Sequence, residues 1–458
     1  MTWLRIFLLK TWSWYLQASN PLFREATRWY RDCTVATCEE LQEMQLARLR
    51  VLINEFRQSG LYNGVQATNV LSQRADLARL PVLTRSTLRK LFPQLQQMYK
   101  DRPDVSAHTT GGSTGEPVQF MFSRRQKRLA GTVRHYMNKV LGWRMGMPRF
   151  TLWADVRHIG KGTQQVKGLA ARLRQYMAGQ YYFGGYKRSE QEYMRFIRTV
   201  HANPRCAVWG FSTMLAECAK LMLERGLVLP SGFLGAIWNC GEMMYEQQRK
   251  VIQQAFGAKP RECYASRECS GTAMECAYGS LHVSPRYLIE VVDSDSLGPL
   301  PDGQTGSLLL TDLFNDVTPF IRYEIGDMGA IEWRDCSCGV RGWCIISLAG
   351  RVAWTINLPS GARLHSYAFN AMVNYLPALQ EWKVVRHSHD DFEMQYSGDA
   401  LSDEDHRELQ DMLSVALEGS GIHIVRVAEI DRTRTGKLLQ YEDLTRTDSG
   451  GGKQSSFL

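Results

Sequence analysis

Apolar residues recur at helical spacing at Leu49, Leu52, Ile53 and Phe56, in a segment that begins near Leu41 and meets a helix-stopping glycine at Gly60. The first hundred residues therefore read as mostly helical. After Val105 the texture changes. Short apolar runs, Ala207–Phe211 and Gly235–Asn239, alternate with longer helical patterns such as Met214–Leu229, which predicts an α/β domain built on a mixed sheet. Strand-like segments follow at Tyr287–Asp293 and Gly306–Thr311, separated by the turn cluster from Gly298 to Gly303. Beyond Gly350 and Arg351, Leu358–Gly361 reads as a turn between short strands. A small α+β unit then closes the chain, with strands at Glu381–Val385, Phe392–Tyr396 and His423–Val427 and a helix capped by Ser402.

At 458 residues the chain is too long for one comfortable core, which predicts one large domain and one small one. The net charge of +9 suits a phosphorylated small molecule, an anionic lipid or a nucleic acid. The basic residues are scattered, however, and the densest stretch, Arg124 to Arg134, fits a solvated helix face, so no nucleic-acid partner is expected. Eleven cysteines without framework spacing point to reduced thiols and the cytoplasm. No window is long and apolar enough to span a bilayer. Trp3, Trp12, Trp14 and Tyr15 beside Arg5 and Lys10 leave open peripheral membrane contact or docking on the chain's own core.

The most informative stretch is Thr109–Pro117, with its glycines at 111, 112 and 115 and hydroxyls at Thr110, Ser113 and Thr114. Glycines let backbone approach phosphate closely and the hydroxyls donate to its oxygens, although the spacing is not that of a Walker loop. Taken alone, such a loop is more often a plain turn. Thr110-Gly-Gly-Ser-Thr-Gly-Glu-Pro117 resembles the signature loop of the adenylate-forming superfamily, and further segments follow in that family's order. Asn315-Asp-Val-Thr-Pro-Phe-Ile-Arg-Tyr-Glu-Ile-Gly-Asp327 is similar to a phrase of the phenylacetate-coenzyme A ligase branch and its capsular-polysaccharide-associated relatives. The likeness runs from about Leu41 to Leu444. It implies a large N-terminal adenylate-forming domain with mixed sheets and a helical N-terminal region, followed by a small mobile α+β C-terminal domain. The corresponding boundaries are an arm over residues 1–40, the large domain over 41–350, the small domain over 351–446 and a flexible tail over 447–458.

The resemblance also implies site residues. Thr110, Gly111, Gly112, Ser113, Thr114 and Gly115 would cradle the phosphates of ATP, with Thr114 among the catalytic residues. Tyr264 would flank adenine and Glu268 hold magnesium, in a segment where Ala265 replaces the family's glycine. Gly241 and Glu242 would lie beside the adenine, a position that a buried strand end explains as well. Asp327 would accept the ribose hydroxyls, a role suited to a carboxylate. Arg351 would contact ribose or phosphate at the interdomain hinge, although Val352-Ala-Trp stands where an acidic pair is usual. Lys437, in Asp431-Arg-Thr-Arg-Thr-Gly-Lys437, would steady the charge that gathers on the α-phosphate.

Cys336-Ser-Cys338-Gly, with Cys276 and His282, forms a ligand set that can close a tetrahedral structural zinc site; free loop thiols are the other reading. The activity so implied is ATP-dependent conversion of a carboxylic acid to an acyl-adenylate with release of pyrophosphate. Acyl transfer to coenzyme A, a carrier-protein thiol or an amine would follow. An adenylyltransferase that leaves AMP on its substrate, or a non-catalytic scaffold, are the alternatives. The acid itself would lie between Met137–Trp143 and the strand ends near Phe211, Trp238 and Gly241. Oligomeric state is not legible, with a homodimer one option.

Overall fold

The computed structural model describes residues 21–58, 71–109, 118–129, 140–144, 147–153, 179–184, 190–351, 355–358, 363–365, 378–430 and 441–445, with a few isolated positions besides. These fall into two compact units, one of residues up to 348 and one from 349 onward.

The first unit opens with helices α1 (Pro21–Cys33) and α2 (Cys38–Gln58). A capping box starts α2: the Thr37 amide donates to Glu40 Oε2 at 2.8 Å, and the Glu40 amide donates to Thr37 Oγ1 at 3.2 Å. Leu49, Leu52, Ile53 and Phe56 are buried, as their spacing predicts. Both helices are tied to the strands behind them, since Trp29 Nε1 and Gln45 Nε2 each donate to the Pro285 carbonyl. Helix α3 (Arg85–Met98) is capped by Thr84, and strands β1 (Val105–Thr109) and β2 (Gln119–Ser123) then pair antiparallel.

The alternating segments build the predicted α/β layer. In chain order they are β3 (Arg149–Trp153), β4 (Gln180–Gly184), α4 (Glu190–His201), β5 (Ala207–Gly210), α5 (Ser212–Glu224), β6 (Ala236–Cys240), α6 (Glu246–Phe256) and β7 (Arg261–Tyr264). These strands pair parallel in the order β4-β3-β5-β6-β7. The chain then turns to shorter connections, and β8 (Ala273–Glu275) and β9 (Leu281–Val283) continue the sheet antiparallel. Among the described residues, β10 (Tyr287–Val292), β11 (Gly306–Asp312), β12 (Tyr323–Asp335) and β13 (Arg341–Arg351) complete a sheet of eleven strands, ordered β10-β11-β12-β13-β9-β8-β7-β6-β5-β3-β4. All six residues of β10 are buried, so this strand reads as a continuous apolar run broken only by Glu290.

The phrase from Asn315 to Asp327 is largely architecture. Asn315 Oδ1 accepts the amides of Val317 and Thr318, and Thr318 Oγ1 exchanges bonds with the Met121 backbone on β2. Arg322 has a φ of 48°, a left-handed conformation that costs a non-glycine residue energy. It is held there by bonds from Nε to Glu290 at 3.0 and 3.1 Å and from Nη1 to the Leu80 carbonyl at 2.7 Å. Nearby, Arg286 grips Asp312 through two bonds of 2.8 and 2.6 Å, both side chains buried.

The second unit contains the short antiparallel pair β14 (Thr355–Asn357) and β15 (Arg363–His365). Its main sheet has the order β18-β17-β16-β19, formed by β16 (Leu379–Arg386), β17 (Asp391–Gly398), β18 (Gly421–Arg426) and β19 (Tyr441–Asp443). Helix α7 (Asp403–Ala416) lies between β17 and β18 in the chain, and Ser402 caps it by accepting the Asp405 amide at 3.1 Å. Its buried Leu409 and Leu413 join Trp382, Val384, Phe392 and Met394 in one core. The mixed α/β class and the small α+β unit are thus as expected. Among the described residues no helix is long and apolar enough to cross a membrane.

Candidate active site

The carboxyl end of β7 supplies the first half of the site. Tyr264 closes the strand, and the chain then folds into a tight turn in which the Ser266 amide donates to the Cys269 carbonyl at 3.0 Å and the Cys269 amide to Ser266 Oγ at 2.9 Å. The turn carries Glu268 inward, to 2% exposure. Arg267 reaches the Thr109 carbonyl at 3.2 Å, so the same turn is bonded to the last residue of β1, directly before the Thr110–Pro117 stretch. Ala265 is not among the residues of positive φ, so a methyl in place of the family's glycine brings no left-handed strain.

Strand β12 supplies the second half. Asp327 Oδ2 accepts a 2.6 Å bond from the Tyr264 hydroxyl, and the Tyr323 hydroxyl donates to Glu268 Oε1 at 3.3 Å. Two tyrosine–carboxylate bonds thereby cross between the β7 turn and β12. Burial, and then the Glu268 charge, push the Tyr323 phenol well above its ordinary range, so it stays a donor at any working pH. A carboxylate carried inward and held through one oxygen by a phenol is an oxygen ligand of the type magnesium takes, so the chemistry of Glu268 fits that ion.

Gly241, at the end of β6, has a φ of 89°, and a Cβ there would come within 2.8 Å of Phe211 Cε1. Glycine is required at this turn by conformation and by space. Glu242 Oε2 accepts the Thr213 amide at 3.1 Å and Thr213 Oγ1 at 2.8 Å, capping α5 where the helix dipole favours an anion. Trp238 is buried against Trp209, their rings 5.5 Å apart. Thr110, Gly111, Gly112, Ser113, Thr114, Gly115 and Lys437 lie outside the described residues, as do Met137 and the N-terminal aromatic residues. Arg351 ends β13, and its side chain is likewise outside them.

The four candidate zinc ligands do come together, with all their ligand atoms within 4.8 Å of one another. Two turns of one design present them. In the β8–β9 hairpin the Gly279 amide donates to the Cys276 carbonyl, with φ at 83°; in the β12–β13 turn the Gly339 amide donates to the Cys336 carbonyl, with φ at 80°. Cys276 Sγ and Cys336 Sγ are 3.7 Å apart, and Cys338 Sγ lies 3.3 Å from His282 Nε2. A tetrahedron with metal–sulfur bonds of roughly 2.3 Å has edges of about 3.8 Å, so the cluster already has the dimensions of a zinc site. Burial, helped by Arg334, lowers the His282 pKa to about 4 and leaves the ring neutral, as a ligand must be. Cys344, which the sequence did not single out, places Sγ 3.4 Å from His282 Nδ1 and keeps Nε2 turned to the cluster.

No protein-family profile matches the chain. Phenylacetate-coenzyme A ligase of Thermus thermophilus is 26% identical over 275 residues, 58% of either chain. Protein CapK of Staphylococcus aureus is 24% identical over 303 residues, 64% of either chain. The match thus spans less than two thirds of the length of these relatives. In three dimensions a 2-hydroxyisobutyryl-CoA ligase in the postadenylation state superposes with a TM-score of 0.65 at 18% identity, covering 90% of this chain and 91% of the other. The fold is that of the adenylate-forming acyl ligases. ATP-bound MatB from Rhodopseudomonas palustris follows at a TM-score of 0.51 and 15% identity over 72% of this chain and 66% of its own. Within the adenylate-forming fold the carboxyl ends of the parallel strands carry Gly241 and Tyr264, where ligands of open α/β sheets gather. The resemblance read from the motifs therefore extends to sequence relatives and to fold.

Proposed function

We propose that the protein uses ATP to convert a carboxylic acid to an acyl-adenylate, releasing pyrophosphate, and passes the acyl group to coenzyme A or another thiol or amine. The observation that carries this reading is the crossed pair Tyr264–Asp327 and Tyr323–Glu268 at the strand ends of the adenylate-forming fold. Asp327 accepts the ribose hydroxyls in place of, or beside, the Tyr264 phenol. The Tyr264 ring flanks the adenine. Glu268 holds the magnesium, which when bound neutralises phosphate charge, while Tyr323 fixes one carboxylate oxygen. Thr114 and the loop from Thr110 to Gly115 take the phosphates, Arg351 the ribose or phosphate, and Lys437 the charge gathering on the α-phosphate as the carboxylate attacks in line. Gly241 keeps the adenine side of the site open. Zinc at Cys276, His282, Cys336 and Cys338 is structural. All eleven cysteines are free, which fits a reducing, cytoplasmic setting.

Product analysis tests the reading. With ATP, magnesium, an acid and coenzyme A, free AMP and a thioester are expected. A stable AMP conjugate on the substrate would instead establish an adenylyltransferase, and nucleotide binding without turnover of any acid would establish a scaffold.

A further inference from the structure

The eleven-stranded sheet has a weak seam. Between β9 and β13 the backbone register comprises only Cys344↔His282 and Ile345↔Leu281. The β7–β8 pairing is as short, but those strands are joined by a brief turn, whereas His282 and Cys344 are 62 residues apart in the chain. On one side of the seam stand β7, β8 and β9; on the other, β12 and β13.

The Cys/His cluster bridges this seam. Cys276 and His282 belong to the β8–β9 hairpin, and Cys336 and Cys338 to the β12–β13 turn. The candidate nucleotide site is divided in the same way, since Tyr264 and Glu268 follow from β7 while Tyr323 and Asp327 lie on β12. Both bonds that define the site, Tyr264 to Asp327 at 2.6 Å and Tyr323 to Glu268 at 3.3 Å, run from one side to the other. A displacement of β12 against β7 would lengthen the two together.

We propose that a zinc ion held by Cys276, His282, Cys336 and Cys338 staples the two sides of the sheet, and that its occupancy sets the spacing between the ribose-binding and magnesium-binding carboxylates. The nucleotide consequence rests on the function proposed above; the staple itself does not. A closed tetrahedral site leaves zinc no open position for substrate, so its effect is on geometry. Three thiolates and a neutral imidazole bind with enough free energy to hold strands that two backbone pairs alone hold loosely. An error of about 1 Å in the placement of binding groups is sufficient to cost on the order of 10²-fold in rate.

The experiment compares zinc-loaded full-length protein with protein stripped by a chelator, and with Cys338→Ser. Cys218→Ser, a buried thiol on α5 away from the cluster, is the control. Metal analysis of the loaded protein is expected to give one zinc per chain, and cobalt substitution a thiolate-to-metal absorption band. Hydrogen exchange is then followed at the amides of residues 261–283 and 323–345. Stripping is expected to speed exchange on both sides of the seam while the β3–β5 amides stay protected, and to weaken ATP binding by about tenfold or more. Cys338→Ser should behave as the stripped protein does, and Cys218→Ser as the loaded one. Less than half an equivalent of zinc, or equal exchange at the seam with and without metal, would overturn the staple. Faster seam exchange with unchanged ATP affinity would overturn its control of the nucleotide site. If loaded protein does not bind ATP at all, the proposed function fails, and seam exchange still decides the staple.

Discussion

Asp327 is held in place before any nucleotide arrives, by a short bond from Tyr264. In the proposed role a carboxylate so oriented would lose little freedom on taking up ribose hydroxyls, which would favour binding. Charge-assisted bonds are worth about 1.5–3 kcal/mol, so Asp327→Asn should raise the KM for ATP by roughly 10- to 100-fold with little change in melting temperature. An unchanged KM would remove Asp327 from the site. Tyr264, Glu268 and Asp327 could be singled out in the sequence because each sits in a motif whose residue types fit one chemical role, and the fold places them about two tyrosine–carboxylate bonds. Tyr323 lies within the same phrase but was not legible as the partner of Glu268: a tyrosine at the start of a strand is equally a core residue, and only the fold brings it across 55 positions. Cys344 is similar, since its meeting with His282 depends on strand register alone.

Among the elements, the helices and strands were the most readable part of the chain. The Leu49–Phe56 stripe, the Ser402 cap and the apolar runs of β5, β6, β10 and β11 each show a local cause in the residues themselves. Glu242 marks where local reading stops. Its place after the β6 glycine suggests a ligand contact, whereas its carboxylate caps α5 across 29 residues. Glu242→Ala should therefore lower stability by about 1 kcal/mol and leave the KM for ATP within roughly twofold of wild type. A tenfold rise in KM at unchanged melting temperature would restore the nucleotide role and refute the cap. Arg322, strained at positive φ and bonded to Glu290, and the Arg286–Asp312 pair explain why the Asn315–Asp327 phrase and its surroundings are long and polar: they build the corner that aims β12. Removing one member of a buried pair strands the other's charge, so Asp312→Ala should destabilise the large unit by about 3–5 kcal/mol in chemical denaturation. A loss under about 1 kcal/mol would show that the pair does not hold the corner.

At the scale of the whole molecule, the sheet joins a parallel, helix-backed half to an antiparallel meander, and the candidate site lies where they meet. That junction could not be read from the chain. The β8, β9 and β13 contacts that form it are two or three residues long, too short for any periodicity to register. The Cys/His pattern was the available signal, and it named four residues that the fold does gather, without showing that they bridge two halves of a sheet. Adenylation of a carboxylic acid releases pyrophosphate only when the acid is present, and that dependence can be measured. Wild-type protein and Lys437→Ala are given ATP and magnesium across a panel of aryl, fatty and hydroxy acids. Release is expected to depend on one class of acid and to fall by about 10²- to 10³-fold in the variant; release from no acid, by protein shown to bind ATP, would rule adenylation out.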